Sequence, residues 1–308
     1  MRNTLTLPLR GIIPPVVTPL QDNNTLDIEG LDRLIEHLIS GGVHGIFVLG
    51  TTGELPGLSH KLRSELIEGA CLIVNRRVPV LVGISDCAFQ ESLSLARQAA
   101  DYGADAVVTV PPYYFSLSQT ELLEYLTRLM EQIPLPLFLY NIPVYTKVGF
   151  APETVKAAAD IPGIVGIKDS SSDMAYLKQV QYALKDHPEF TFMIGLEELL
   201  SDFVLTGGHG GIPGGANMFP KLYVDLYNAS VARDFEKISR LQKTVMQVSS
   251  TIYRVGNYKS SYLKGLKCAL SVMGICNDFM AEPYSRFREP ERAEIQHLLD
   301  ELDYQKLR

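Results

Sequence analysis

Short, nearly unbroken apolar runs alternate along this chain with longer segments whose apolar residues recur every three or four positions. The short runs are Ile12–Val17, Gly45–Leu49, Val78–Gly83, Ala106–Val110, Leu135–Tyr140, Ile164–Lys168, Thr191–Gly195 and a glycine-rich Gly210–Ile212. Rich in Val and Ile, they read as strands of a parallel sheet covered on both faces. Between them, Ile28, Leu31, Leu34, Ile35, Leu38 and Ile39 form a helical stripe that Gly41-Gly42 stops. Leu62, Leu66, Ile67, Ala70 and Val74 form a second stripe, with Ser59 placed as its N-cap. Leu93, Ala96 and Ala100 form a third, stopped at Gly103, and Pro152 sits in the first turn of another helix. Strand then helix, repeated about eight times with starts roughly 25–35 residues apart, predicts a closed α/β fold, the (β/α)8 TIM barrel. After about Asn228 the strand pattern stops, and 233–252, 258–274 and 290–304 read as helices. The expected organisation is a (β/α)8 catalytic barrel over 1–230 and a C-terminal α-helical region over 231–308. An open doubly wound sheet would usually carry a Gly-rich turn after its first strand. Thr18-Pro19-Leu20 follows here, with no glycine.

Composition narrows the function. The chain has 308 residues, 46% of them hydrophobic, with a net charge of −7. No basic surplus is available for a phosphate backbone, so nucleic acid is not an expected partner. No apolar run approaches the ~18 residues of a membrane span. The opening MRNTLTLPLR has no apolar leader run. Cys71, Cys87, Cys268 and Cys276 form no C-x-x-C pair. They read as ordinary buried thiols of a protein expected in a reducing cytoplasm.

In such barrels chemistry gathers where the strands end at their C-termini. The second run leads into Gly50-Thr51-Thr52-Gly53-Glu54. That turn suits a cradle for a small anion such as a carboxylate, or equally a structural turn with Glu54 as a cap. The fourth run ends in Pro111-Pro112-Tyr113-Tyr114, a second tyrosine at the mouth or simple loop packing. The fifth ends in Tyr140-Asn141-Ile142-Pro143, with Tyr140 either at the mouth or packed in the core. The sixth ends in Lys168-Asp169. A lysine closing an apolar strand either snorkels or is a desolvated amine able to form an imine with a ketone. Adjacent strands would bring Tyr140 beside Lys168, where a phenol can move protons. The glycines from Gly207 to Gly215 allow close backbone approach. His44, His60 and His209 show no metal-ligand spacing, so no metal is expected.

The motifs GTTGE, PPYY, YNIP and GIKD, at these separations, resemble the dihydrodipicolinate synthase/N-acetylneuraminate lyase family of class I pyruvate-type aldolases over essentially the whole chain. That resemblance implies a Schiff base on Lys168, with Tyr140 as acid/base and no metal or organic cofactor. It implies Thr51 and Thr52, with Gly50 and backbone N–H groups, as the carboxylate cradle. It implies that Tyr114 reaches a neighbouring subunit's site in a homotetramer and completes a relay through Thr51. Gly195 and Ile212 match pocket-lining positions. The partners it implies are small molecules, pyruvate or another 2-oxo acid plus an aldehyde. Two places depart from the family pattern, one of them Leu196-Glu197-Glu198, where characterised branches carry acidic GDD or GYDD-type patterns. Dihydrodipicolinate synthases usually carry an arginine two residues after the YN-x-P proline, and here that residue is Tyr145, with Lys147 nearby. A phenol is no bidentate cationic clamp. The opening GIIPPV and the YNIP-x-x-T run look more like the family's sugar-acid branch, which implies cleavage or formation of a 2-keto-3-deoxy sugar acid. Dihydrodipicolinate synthesis, neuraminate cleavage and a keto-deoxy-acid dehydratase are the alternatives within the family. A silent 2-oxo-acid-binding scaffold is the alternative from another class.

Overall fold

A computed structural model describes residues 5–307. The first four residues of MRNTLTLPLR, in which no apolar leader run is expected, lie outside the described residues. Eight parallel strands form one sheet: β1 (Gly11–Ile12), β2 (Ile46–Val48), β3 (Val80–Gly83), β4 (Ala106–Thr109), β5 (Leu137–Asn141), β6 (Ile164–Asp169), β7 (Thr191–Ile194) and β8 (Gly210–Gly211). From β2 to β8 each strand pairs with the next in sequence, and β8 pairs with β1. Closure comes from beyond the short β1. Phe47 N donates to Pro14 O at 3.0 Å, and Val16 N donates to Phe47 O at 2.8 Å. The first strand is shorter than the apolar run Ile12–Val17 predicts, because Pro14 and Pro15 have no N–H to give the ladder.

Strand alternation sorts the side chains into two cores. Phe47, Leu81, Val108, Phe138, Tyr140, Met193 and Ile212 pack inside the barrel. Val48, Val82, Val107, Leu139, Ile167 and Ile194 face the helices. The local signals for those helices act as read. Ser59 accepts from Leu62 N at 3.3 Å at the start of His60–Val74, and Gly103 ends Phe89–Tyr102 with φ +90°. Pro152 opens Pro152–Ala159.

Beyond β8 the described chain forms only helices: Pro220–Ala232, which runs across position 230, then Phe235–Thr251, Ser261–Val272 and Glu289–Glu301. Their apolar faces, including Val245, Val248, Leu266 and Ile295, join the same core as the barrel helices. A kink at Val255-Gly256 separates the second from the third and sets residues 259–263 at the barrel mouth.

Candidate active site

Tyr140 and Lys168 are register partners on β5 and β6. Both side chains point inward, since their strand neighbours Leu139 and Ile167 face the helices. Lys168 is 4% exposed, and its Nζ lies 4.0 Å from the centroid of the Tyr140 ring and 5.2 Å from that of Phe47. Among the described residues no carboxylate pairs with it. It therefore does not snorkel to a solvent counter-ion. Gly195, just past β7, makes room for this side chain. A Cβ there would stand 3.1 Å from Lys168 Cε and 2.0 Å from Ser170 Oγ.

The ends of the two strands are tied together. Asn141 Nδ2 donates to Asp169 Oδ1 at 2.7 Å, and Ser171 Oγ donates to Asp169 Oδ2 at 2.8 Å. Burial pushes the Asp169 carboxyl up despite these donors. Each of these residues follows directly on Tyr140 or is within three of Lys168, so the network fixes the backbone that aims both side chains.

The turn after β2 brings its two threonines to different partners. Thr51 Oγ1 lies 3.4 Å from Tyr140 Oη, and Thr52 Oγ1 lies 3.0 Å from Tyr262 Oη. Gly50 is required by the ring of Phe47, which a Cβ would meet at 2.7 Å. Glu54 is not the cap that the structural alternative assigns to it. Its carboxylate is buried against Lys267 Nζ at 2.6 Å and accepts from Ala281 N at 2.9 Å. Lys267 Nζ also donates to Thr18 O at 2.8 Å. The helix Ser261–Val272 thus holds the turn at both ends, through Tyr262 and Lys267.

These residues border a cavity of about 630 Å³ at the C-terminal mouth. Gly50, Thr51, Tyr140 and Tyr145 line it, as do Tyr113, Lys259, Tyr262 and Tyr284. Lys168 is not on its wall. The rings of Phe47 and Tyr140, which flank the amine, are. Ile212 is buried in the barrel interior, not at this wall. Tyr114 is 75% exposed and packs edge-on against Phe115, so within one chain it does not reach the site. Lys147 caps the short turn Pro143–Thr146 with φ +62° and is also off the cavity wall. Tyr145 sits at the rim, and burial together with Tyr140 and Tyr284 pushes its phenol up.

Sequence reasoning missed a buried cluster behind the mouth. Glu197 Oε1 accepts from Tyr223 Oη at 2.5 Å and from Tyr253 Oη at 2.8 Å, while Oε2 accepts from Gly215 N at 2.8 Å. Burial pushes this carboxyl up to about 7. The ring of Tyr253 meets that of Tyr262 edge to face at 4.8 Å, which links the cluster to Thr52. Among the described residues no group of three or more His, Cys, Asp or Glu is placed to hold a metal ion. No described helix is long and apolar enough to cross a membrane.

The model of the dihydrodipicolinate synthetase family matches residues 8–302. YagE of Escherichia coli K12, named as a candidate 2-dehydro-3-deoxy-D-gluconate aldolase, is 33% identical over 295 residues, covering 95% of this chain and 96% of its own. The structure of YagE in complex with pyruvate is 32% identical, with a TM-score of 0.91, over 96% of this chain and 99% of that one. The structure of dihydrodipicolinate synthase from Bacteroides thetaiotaomicron is 57% identical, with a TM-score of 0.94, over 96% of this chain and 99% of that one.

Proposed function

The chain belongs to the dihydrodipicolinate synthetase family, and from that membership we propose that it is a lyase acting through an imine between Lys168 and pyruvate. The observation that carries this reading is the buried amine with no ion partner, 4.0 Å from the centroid of the Tyr140 ring. A ketone reaching it between Phe47 and Tyr140 is attacked at C2 by the neutral amine. Water leaves, and the imine becomes an electron sink. In the cleavage direction Tyr140 takes the proton of the C4 hydroxyl and the C3–C4 bond breaks. Its electron pair moves through C3 and C2 to the imine nitrogen, and the aldehyde departs. The enamine then takes a proton at C3, and water returns pyruvate and the free amine. Thr51, Thr52 and the N–H groups of their turn hold the carboxylate. Tyr114 serves a neighbouring subunit's site within a homotetramer, in keeping with its exposure here. No metal or organic cofactor enters the cycle.

The substrate class proposed is a 2-keto-3-deoxy sugar acid. Tyr145 stands where a guanidinium clamp for a second carboxylate would be. The mouth of about 630 Å³ is lined by Tyr113, Tyr145, Tyr262 and Tyr284, phenols of the kind that suit a polyhydroxylated chain. The name of the 57% identical neighbour favours a second reading, dihydrodipicolinate synthesis. One experiment tests the chemistry and a panel separates the substrates. Incubation with pyruvate and borohydride, then digestion, is expected to leave a reduced pyruvyl adduct on Lys168 that Lys168→Ala lacks. Folded protein without adduct would instead indicate a silent 2-oxo-acid-binding scaffold. In the panel, pyruvate release from 2-keto-3-deoxy acids supports the sugar-acid reading. Turnover with aspartate semialdehyde alone would overturn it.

A further inference from the structure

A second cavity, of about 310 Å³, opens at the opposite pole of the barrel, where β1 and β8 begin. Arg10 leads into β1 and His209 into β8. Their segments are joined by Gly11 N donating to His209 O at 3.0 Å. Tyr227 and Arg233, at the end of helix Pro220–Ala232, complete the polar side of the wall. Among the described residues no carboxylate lines this cavity, although the chain as a whole carries a net charge of −7. Neither arginine has an ion partner among the described residues. The adjacent carboxylate, Asp234, is turned away to cap the next helix, accepting from Lys237 N at 3.0 Å.

The histidine adds a third donor. Its Nδ1 accepts from Phe192 N at 3.0 Å. Burial and Arg10 push its pKa down to about 4, so near neutral pH the ring holds a single proton, and that proton is on Nε2. Helix C-termini gather at this pole of a barrel, and their carbonyls could have occupied the guanidinium groups. Here they are already bonded by backbone. Gly208 N donates to Phe203 O at 2.8 Å, Gly207 N to Val204 O at 3.2 Å, and Arg233 N to Ser230 O at 3.2 Å. The positive charge at this pole is left without a partner.

We propose that this pole binds a phosphate monoester, its dianionic head held by Arg10, Arg233, His209 and Tyr227. Two guanidinium groups match two negative charges and offer several donors to three oxygens. The volume exceeds what a bare phosphate fills, and Val204, Leu205 and Val231 supply an apolar wall for an organic body. The site is separate from the catalytic mouth and does not depend on how that mouth is read.

The full-length protein can be titrated calorimetrically with glycerol phosphate and with inorganic phosphate, at constant ionic strength kept with chloride. Saturable binding of the ester, tighter than that of inorganic phosphate, is the expected result. Arg10→Gln and Arg233→Asn should each weaken it at least tenfold without changing the pyruvate–borohydride adduct on Lys168. Asparagine tolerates the left-handed φ of +57° at position 233, and Arg10 is exposed, so both variants should fold. Heats no larger than the chloride control, or binding indifferent to both substitutions, would overturn the site. Tighter binding of inorganic phosphate than of the ester would overturn the assignment of the ligand.

Discussion

Replacing Glu197 with glutamine removes a proton site from the cluster behind the mouth, and its surroundings set the size of the effect. Burial raises this carboxyl from the ordinary 4.5 to about 7, against hydrogen bonds from Tyr223, Gly215 and Tyr253. Between those two values the folded protein keeps a proton that the unfolded chain has released. The unfolded state then binds fewer protons, so stability falls as pH rises through this window. The contribution is full below pH 4.5 and gone above about 7. At roughly 1.4 kcal/mol per unit, the 2.5 units between 4.5 and 7 correspond to about 3 kcal/mol. About 2 kcal/mol of that falls in the 1.5 units above pH 5.5. Glutamine cannot titrate, and it fits the cluster. Its carbonyl can accept from Gly215 N while its two N–H groups face the hydroxyl oxygens of Tyr223 and Tyr253. Urea unfolding of both proteins at pH 5.5 and pH 8 would measure this. It can be followed by far-ultraviolet circular dichroism, since the chain has 0 tryptophans. The difference, wild type minus variant, cancels other titrating groups such as Asp169. It should shift against the wild type by about 2 kcal/mol as the pH is raised. A difference that stays flat would refute the buried-proton account of Glu197.

Tyr140→Phe keeps the ring beside Lys168 and removes the hydroxyl, and turnover should drop by about 10²-fold or more. Adduct formation measured alongside shows whether the loss lies in imine formation or in the carbon–carbon step. Gly195→Ala pushes a methyl against Ser170 Oγ and Lys168 Cε. With Lys168 as the proposed nucleophile, a displacement of about 1 Å there should cost on the order of 10²-fold in kcat, with the thermal midpoint reporting any general damage. Lys267→Met strands the buried Glu54 carboxylate and should destabilise the protein by about 3–5 kcal/mol in denaturant. The double variant Lys267→Met/Glu54→Leu should regain part of that loss.

Periodicity made the barrel legible. All eight strands fall on runs whose apolar character follows from having helices on one side and the barrel interior on the other. Lys168 and Tyr140 were legible for the same reason. A polar group closing an inward-facing apolar strand is conspicuous, and neighbouring strands fix who stands beside it. The C-terminal contributions left no such trace. Tyr262 meets Thr52 across 210 positions and Lys267 meets Glu54 across 213, and both lie on a helix that looks ordinary in sequence. Glu197 was visible only as a departure from the family pattern. Its partners come from positions 215, 223 and 253, and only the fold assembles them.

These long-range contacts explain why a barrel of this kind carries extra helices. The turn after β2 holds Thr51 toward Tyr140 and borders the open cavity, so it is not buried under its own loop. Its backbone is tense, with Leu49 at φ +57° and Glu54 at φ +58°, left-handed values that side chains seldom adopt. Such a conformation persists only where its surroundings hold it. The helix Ser261–Val272 supplies that hold from outside the barrel, gripping Thr52 through the hydroxyl of Tyr262 and Glu54 through the ammonium of Lys267. The same helix lends Tyr262 and Leu263 to the cavity wall. Positioning of the threonine turn and shaping of the mouth are therefore coupled through one element. Substitutions that alter the mouth through this helix should also change how firmly the threonines are held.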